Sequence, residues 1–259
     1  MRGRGRCLRP LLAAALLCAA AAAPAALPPP FEARYELSLA GLPVGEMRLA
    51  LEPAGGGRLL YRMASRPRGL LALFRKDTLT ERSLLEALPG GGIRPLRYER
   101  VQTGSRRRHV RLAFSWRPDG SGLVRNEVAG RPWEMDVPAG TLDRLLVQLA
   151  LRLDLAAGRA GTLAYPVADG GKLKRYRFEV LGSETVETPA GRFETVKVRR
   201  LRRKGKPPLD FWLAPALGYL AVAGTRPGGE GGTVRMRLVD FRRSPPDEAG
   251  MRLTRDGGR

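Results

Sequence analysis

Apolar and charged residues alternate one by one along most of this chain, and this pattern constrains its fold more than any other feature. In the segment 31–39 every second residue is apolar, and three of the four residues between them are charged. A period of two is that of a β-strand with one dry and one wet face. Similar segments recur to residue 241, separated by turn signals such as Pro118-Asp119-Gly120. The sequence therefore predicts a mainly β fold: a curved antiparallel sheet of about a dozen strands, sandwich-like or a partly open barrel.

One segment, from Thr141 to Leu155, has a helical period instead. Its apolar positions are Leu142, Leu145, Leu146, Leu149 and Leu153, and its polar positions include Asp143, Arg144, Gln148 and Arg152. Thr141 is the predicted N-cap and Gly158 the predicted stop. We expect one helix, near 141–155, packed on the dry face of the sheet. The alternative is a movable lid over a groove.

The N-terminus has the composition of a secretory signal. Arginines at positions 2, 4, 6 and 9 precede an uninterrupted apolar run from Leu11 to Ala23, and small residues follow it. The run is shorter than the roughly 20 residues that span a bilayer. We therefore expect a signal peptide over 1–25, cleaved after Ala25 or Ala26, and a periplasmic location. Lipidation of Cys18 is the alternative, and Leu17 before it is larger than a lipoprotein signal requires.

The rest of the chain indicates one domain. No internal repeat or linker is visible between Pro30 and Phe241, so we expect a single β-rich domain over 26–243. No transmembrane span is expected in the mature chain. The segment 244–259 contains Pro, Gly and charged residues with little to bury, which predicts a disordered tail. Both cysteines, Cys7 and Cys18, lie in the predicted signal, so the mature chain is expected to lack disulfides and Cys-ligated zinc.

The net charge of +21 narrows the possible partners. A basic chain of this kind often binds nucleic acid, but an exported protein normally meets none, so no nucleic-acid partner is expected. The anionic molecules of that compartment are lipid head groups and envelope polymers. The partner is therefore left open between a lipid and an envelope polymer.

Signatures of catalysis are mostly absent. His109 is the single histidine, and it follows three arginines, so we interpret it as a surface residue of a strand. There is no G-x-S-x-G elbow and no phosphate-binding loop. We expect no cofactor and no metal, and a non-enzymatic protein. A hydrolase with an unrecognised carboxylate pair is the alternative; the candidate residues are Asp136, Asp143, Asp154, Glu184 and Glu187.

Two surfaces are candidates for binding. Large aromatic residues on strand positions predict an apolar groove; they are Tyr35, Phe114, Trp116, Phe178, Trp212 and Tyr219. A dense basic run predicts an anion-binding patch; its residues are Arg199, Arg200, Arg202 and Arg203. A solvated charged hairpin is the alternative for this run. The apolar stretch 67–74 is either a core-covering turn or a lipid-facing lip.

An ordered set of short motifs resembles a known family. In the second half they are Tyr165–Gly171 (YPVADGG), Lys174–Val180 (KRYRFEV), Glu184–Val198 (ETVETPAGRFETVKV), Phe211–Pro215 (FWLAP) and Gly218–Leu220 (GYL). Tyr35, Gly41 and Gly45 near the start, and the segment 141–144, complete the set. This order resembles an exported bacterial family of unknown function, number three-one-zero-eight. The resemblance implies a mostly antiparallel β fold in the periplasm and brings no established reaction, cofactor or site residue.

Overall fold

The computed structural model describes residues 27–69, 77–105, 107–202, 205–227 and 232–243. The predicted signal peptide, the predicted tail, most of the apolar stretch 67–74 and Arg203 lie outside the described residues. Within the described part of the chain, no helix is both long and apolar enough to cross a membrane.

Fourteen strands and one α-helix make up the described fold. The strands are β1 Phe31–Leu39, β2 Leu42–Pro53, β3 Arg58–Pro67, β4 Leu79–Leu88, β5 Gly92–Gln102, β6 Arg108–Trp116, β7 Gly122–Asn126, β8 Glu134–Val137, β9 Thr162–Ala168, β10 Leu173–Thr188, β11 Gly191–Leu201, β12 Leu209–Ala214, β13 Leu220–Pro227 and β14 Thr233–Arg243. Helix α1 is Leu146–Ala156, and a 3-10 turn covers Pro215–Leu217. The predicted mainly β class is confirmed, with two strands more than the pattern suggested.

The strands form a single antiparallel sheet. Their order is β8-β7-β6-β5-β4-β3-β2-β1-β14-β13-β12-β11-β10-β9. The first and last strands pair near the middle of this order. Strands β1–β8 extend outward on one side of this pair and β9–β14 on the other. The alternating pattern has its predicted effect: Phe31, Ala33 and Tyr35 of β1 are buried, while Glu32 and Arg34 are exposed.

The sheet curves until it is nearly closed. Its pairing register shifts at five places, each of which bends a strand; these lie at Arg34/Tyr35, Leu37/Ser38, Leu84/Leu85, Val180/Gly182 and Trp212/Leu213. At the free edge of β9, Leu142 pairs with Val167 as an isolated bridge. Next to β8, Trp133 lies against Gly171 of the β9–β10 turn, since a Cβ there would be 3.5 Å from the indole. The result is a barrel-like sheet whose two edges approach each other.

Helix α1 fills the interior of this sheet, and its predicted start was wrong. The helix begins at Leu146, not at Thr141, whose hydroxyl instead donates to the Pro138 carbonyl at 2.8 Å. Asp143 provides the cap, because its Oδ1 accepts the backbone N–H groups of Leu145 and Leu146, both at 2.8 Å. The predicted stop at Gly158 is confirmed by its positive φ of 76° just after the helix.

The helix is also more enclosed than its leucine stripe suggested. Leu146, Val147, Leu149 and Leu151 are buried, and so is Arg152, which the sequence placed on the polar side. A helix that is buried nearly all round must have protein on every side. This helix therefore lies within the curve of the sheet and belongs to its core.

Candidate functional site

An interior cavity of about 180 Å³ lies between one side of α1 and the inner faces of β1–β3 and β10–β14. Most of its lining is apolar: Met47, Leu49, Met63, Val147, Leu151, Phe178, Phe211, Leu213, Leu220, Ala221 and Met236. Three methionines contribute to the wall, and their flexible thioethers adapt readily to a bound shape.

Arg152 is the most deeply buried charge of this wall. It projects from α1 with only 3 % of its surface exposed. Its Nε donates to the Gly218 carbonyl at 2.9 Å and one Nη to the Leu217 carbonyl at 3.3 Å, and its guanidinium lies 4.8 Å from the centre of the Phe31 ring. Its other Nη, Nη1, is buried and has no hydrogen-bond partner among the described residues. The carbonyls fix the guanidinium and leave the Nη1 nitrogen, with its two N–H groups, free.

The loop that holds Arg152 has an unusual backbone. Gly218 and Tyr219 both have positive φ, 61° and 56°. An aromatic residue in the left-handed region is strained, and such strain often accompanies a functional constraint. Here the conformation presents the Leu217 and Gly218 carbonyls to Arg152 and places Tyr219 in the cavity wall.

Two tyrosine hydroxyls are buried in the same wall. Tyr35 and Tyr61 are 2 % and 0 % exposed, and neither hydroxyl meets full hydrogen-bond geometry with a described residue. Burial raises the pKa of both; the charge of the Arg152 guanidinium partly opposes the rise, and at Tyr61 a side-chain interaction with the same guanidinium adds to this opposition. Both therefore stay protonated at neutral pH. Together with Arg152 they form a cluster of buried donors, which we call the donor cluster.

Two further arginines line the cavity. Arg144 makes an ion pair with Asp169 at 3.2 Å. Arg200 lies over the Tyr176 ring at 3.5 Å from its centre, and burial lowers the pKa of its guanidinium. Neither Arg200 nor Arg152 has a carboxylate partner among the described residues, and the described lining contains no acidic residue. The cavity is therefore both apolar and positively charged.

An ionic cluster crosses the interior next to this cavity. Glu81 binds Arg100 at 2.5 Å, and Arg144 lies between Glu81 and Asp169. Asp169 also accepts hydrogen bonds from Lys174 at 2.8 Å and from the Tyr176 hydroxyl at 2.9 Å. Burial opposes ionisation of Asp169, but these partners outweigh it and lower its pKa to about 2. The cluster joins β4 and β5 to the β9–β10 turn across the interior of the sheet.

The predicted groove residues do not all meet. Tyr35, Phe178 and Tyr219 line the cavity. Phe114 and Trp116 stack on each other at 6.0 Å on β6 and are not part of its wall. Trp212 faces away from the cavity, since its neighbours Phe211 and Leu213 line it and strand residues alternate between faces. Its indole N–H donates to Glu184 instead.

The predicted anion patch is not brought together either. Arg199 is held by Asp210 through two hydrogen bonds of 2.8 Å. Arg200 lines the interior cavity, and Arg202 is exposed. Strand alternation thus places Arg199 and Arg200 on opposite faces of the sheet.

The other candidate groups are scattered. His109 is on the exposed surface of β6, as its sequence context predicted, with its Nε2 3.1 Å from Glu99. Candidate carboxylates bind separate partners: Asp136 pairs with Arg117, Asp154 accepts from Tyr165, and Asp143 accepts from Ser83. The described residues contain no group of three or more His, Cys, Asp or Glu able to hold a metal.

Sequence reasoning missed Arg152 and Arg200 as interior residues, although a signal was present for each. Arg200 follows the half-buried Val196 and the fully buried Val198 at a spacing of two, which is the inward face of β11. Arg152 follows Leu145 and Leu149 at helical spacings of seven and three. Both arginines therefore belong to apolar stripes, and their charge concealed this.

Together, the fold and the cavity define a class: a barrel-like antiparallel sheet that encloses a helix and an interior pocket. The model of the family "Protein of unknown function (DUF3108)" matches residues 34–239. The chain belongs to this family, which confirms the resemblance seen in its motifs. The sequence matches none of the curated proteins with which it was compared.

Solved structures share the architecture. A β-barrel-like protein of the domain of unknown function DUF1849 from Brucella abortus is 14% identical, with a TM-score of 0.59, and the match covers 85% of this chain and 100% of that one. A candidate exported protein with a YmcC-like fold from Bacteroides fragilis is 12% identical, with a TM-score of 0.37 over 84% and 99% of the two chains. A candidate lipoprotein from Parabacteroides distasonis is 10% identical, with a TM-score of 0.30 over 84% and 97%. The first of these similarities supports the fold, and the fold alone.

Proposed function

We propose that this protein is a non-enzymatic domain of the bacterial cell envelope, exported to the periplasm, that binds an apolar or lipid-like molecule inside its sheet. The interior cavity is the observation that carries the proposal. It is apolar over most of its wall and is bounded by a buried helix on one side and eight strands on the other. Small-molecule sites have this character: a concave apolar space with a few placed polar groups.

The size of the cavity favours a narrow ligand. A volume of about 180 Å³ is below the roughly 300 Å³ at which pockets for drug-sized molecules begin. A single alkyl chain is the lipid-like group that fits such a space. Met47, Met63 and Met236 allow the wall to adjust around it.

Less supports the two other functions that the sequence left open. An envelope polymer was expected to bind the basic run 199–203, but Arg199 is paired with Asp210 and Arg200 lies inside, so the described part of this run does not form one surface. A hydrolase would need a carboxylate pair beside space for a substrate. The small cavity next to Asp169 has about 10 Å³, room for about one water molecule.

Extraction of the purified protein tests the proposal. Solvent extracts of protein from its native periplasm, analysed by mass spectrometry, should contain an acyl-chain compound at a fixed ratio to protein. Ala221→Leu adds bulk to the cavity wall and should lower that ratio. Ala164→Leu, on β9 and outside the wall, is the matched control and should leave it unchanged. Equal amounts from all three proteins, or no acyl compound in any of them, would contradict the proposal.

A further inference from the structure

We infer that the ligand is a single-chain amphiphile with an oxyanion head, a carboxylate or a phosphate monoester, and that the head binds the donor cluster of Arg152, Tyr35 and Tyr61. The inference rests on the proposed function and names the chemical class of its ligand. It places the charged head deep in the cavity and the alkyl chain against the apolar wall.

Unsatisfied polar groups are concentrated in the wall of this cavity. In the described residues, eight buried side-chain nitrogen or oxygen atoms lack a hydrogen-bond partner, and five of them belong to residues of this one cavity wall. Buried polar groups nearly always have partners, and a group without one costs about 1–3 kcal/mol. Their concentration in a single wall points to a ligand that satisfies them.

The unsatisfied groups of the donor cluster are all able to donate a hydrogen bond. The three free positions of the donor cluster are one guanidinium NH2 group and two phenol O–H groups, and each can donate to an oxyanion. A carboxylate or phosphate accepts several hydrogen bonds at once, and those from a guanidinium are charge-assisted. An ammonium head offers only donors, so it could donate to the phenol oxygens but would leave the Arg152 guanidinium unsatisfied and would face its positive charge.

The buried charge of Arg152 also favours an anionic ligand. Arg152 is nearly fully buried, and no described carboxylate compensates it. Burying a charge is costly unless it is paired. The carbonyls of Leu217 and Gly218 supply partial compensation and fix the geometry of the guanidinium. An anion completes the compensation.

The apolar wall selects the rest of the ligand. Met47, Leu49 and Met63 are next to the tyrosines on β1–β3, and Leu151 lies on α1. Burying a methylene contributes about 0.8 kcal/mol. A small anion without a chain therefore lacks most of the available binding free energy.

Calorimetric titration of the purified protein with octanoate, octanol and octylammonium tests the inference. Octanoate should bind at least about tenfold more tightly than octanol, and octylammonium should bind most weakly. Acetate and inorganic phosphate are probes of the head alone, and neither should bind at concentrations at which octanoate saturates. Tight binding of phosphate would mean a site for small anions and would overturn the assignment of an amphiphile.

The double variant Tyr35→Phe/Tyr61→Phe tests whether the donor cluster binds the head group. It removes two hydroxyls that lack full hydrogen-bond geometry with any described residue, so its thermal stability should change little. Its affinity for octanoate should fall about tenfold, toward that for octanol, while its affinity for octanol stays constant. Tyr98→Phe removes a third such hydroxyl outside the cavity wall and is the matched control. Arg152 itself is less suitable, because it also holds the Leu217–Gly218 turn.

Different results would contradict the head-group assignment and the proposed function. If octanoate and octanol bind equally and the double variant changes neither, the head-group assignment is wrong and the proposed function stands. If none of the three octyl probes binds, the proposed function itself is wrong.

Discussion

Two buried aspartates of the interior have opposite pKa shifts, and the difference lies in their partners. Burial raises the pKa of Asp143 to about 7, although hydrogen bonds from Ser83 and from the N–H groups of Leu146 and Leu145 oppose it. Asp169 is also buried, but the charges of Arg144 and Lys174 lower its pKa to about 2. Asp169 therefore stabilises the fold above pH of about 4, and this contribution is lost as the pH falls toward 2.

Asp143 has the opposite effect on stability. Its folded pKa of about 7 exceeds the unfolded value of about 4, so the folded state holds its proton more tightly. Its contribution is full below about pH 4 and declines as the pH rises through about 7, by at most about 4 kcal/mol. In Asp143→Asn the amide oxygen can still accept the two backbone N–H groups, but it does not titrate. The variant should therefore lose less stability than the wild type between about pH 5 and about pH 8.

Urea unfolding at those two pH values measures this difference. Asp136→Asn, an exposed carboxyl paired with Arg117, is the control and should match the wild type within about 0.5 kcal/mol. The same loss of stability with pH in Asp143→Asn as in the wild type would show that Asp143 does not titrate in this range.

At the scale of elements, the central question is whether α1 is a fixed core helix or a movable lid. Leu145, Leu146 and Leu149 are fully buried, and the ionic cluster begins at Arg144, just before the helix. Arg152 attaches the helix to the Leu217–Gly218 turn. These contacts on several sides indicate a helix that stays in place.

Leu146→Ala distinguishes the two roles. In a fixed helix it should lower the free energy of unfolding by about 2–5 kcal/mol, the usual cost of truncating a buried leucine. Gln148→Ala on the exposed side of the same helix should change it by less than about 0.5 kcal/mol. Urea denaturation measures both. A value for Leu146→Ala as small as that of the control would favour the lid.

The positions of the strands were easier to predict than which of their residues face the interior. The period of two located β1, β6 and β10, because a buried face leaves a direct mark on sequence. Trp212 was assigned to the groove on size alone, yet the bulge beside Leu213 and the register of β12 set which way it faces. A bulge shifts register without a distinctive residue, so the inward set could be only partly predicted. The start of α1 was wrong because Thr141 and Asp143 are both good capping residues, and tertiary packing selects between them.

At the scale of the whole molecule, near-closure of the sheet could not be predicted, because it depends on contacts between residues far apart in sequence. Leu142 pairs at the edge of β9. Trp133 reaches Gly171 from the other end of the sheet. Because the sheet nearly closes, its apolar face encloses an interior. Arg152 and Arg200, which belong to apolar stripes, therefore line the cavity.

The position of the N-terminal segment in the fold bears on where the predicted signal peptide is cleaved. Leu27, the first described residue, packs against the core, and the segment 27–29 borders a second cavity next to Arg152. A signal cleaved near Ala25 leaves this segment in the folded domain. Protein purified from its native cell should therefore begin at about Ala26 or Leu27. Intact-mass spectrometry checks this, and a diacylglyceryl group on Cys18 would contradict it.

The most direct test of the central claim, that the inside of the sheet is a binding site for an anionic alkyl chain, is a crystal structure with a brominated octanoate. The anomalous signal of bromine locates the chain without assumptions about its shape. We expect one bromine between α1 and the sheet, with the carboxylate within hydrogen-bond distance of Tyr35, Tyr61 and Arg152. Bromine bound only on the outer face of the sheet, with none in the interior cavity, would contradict the proposed binding site.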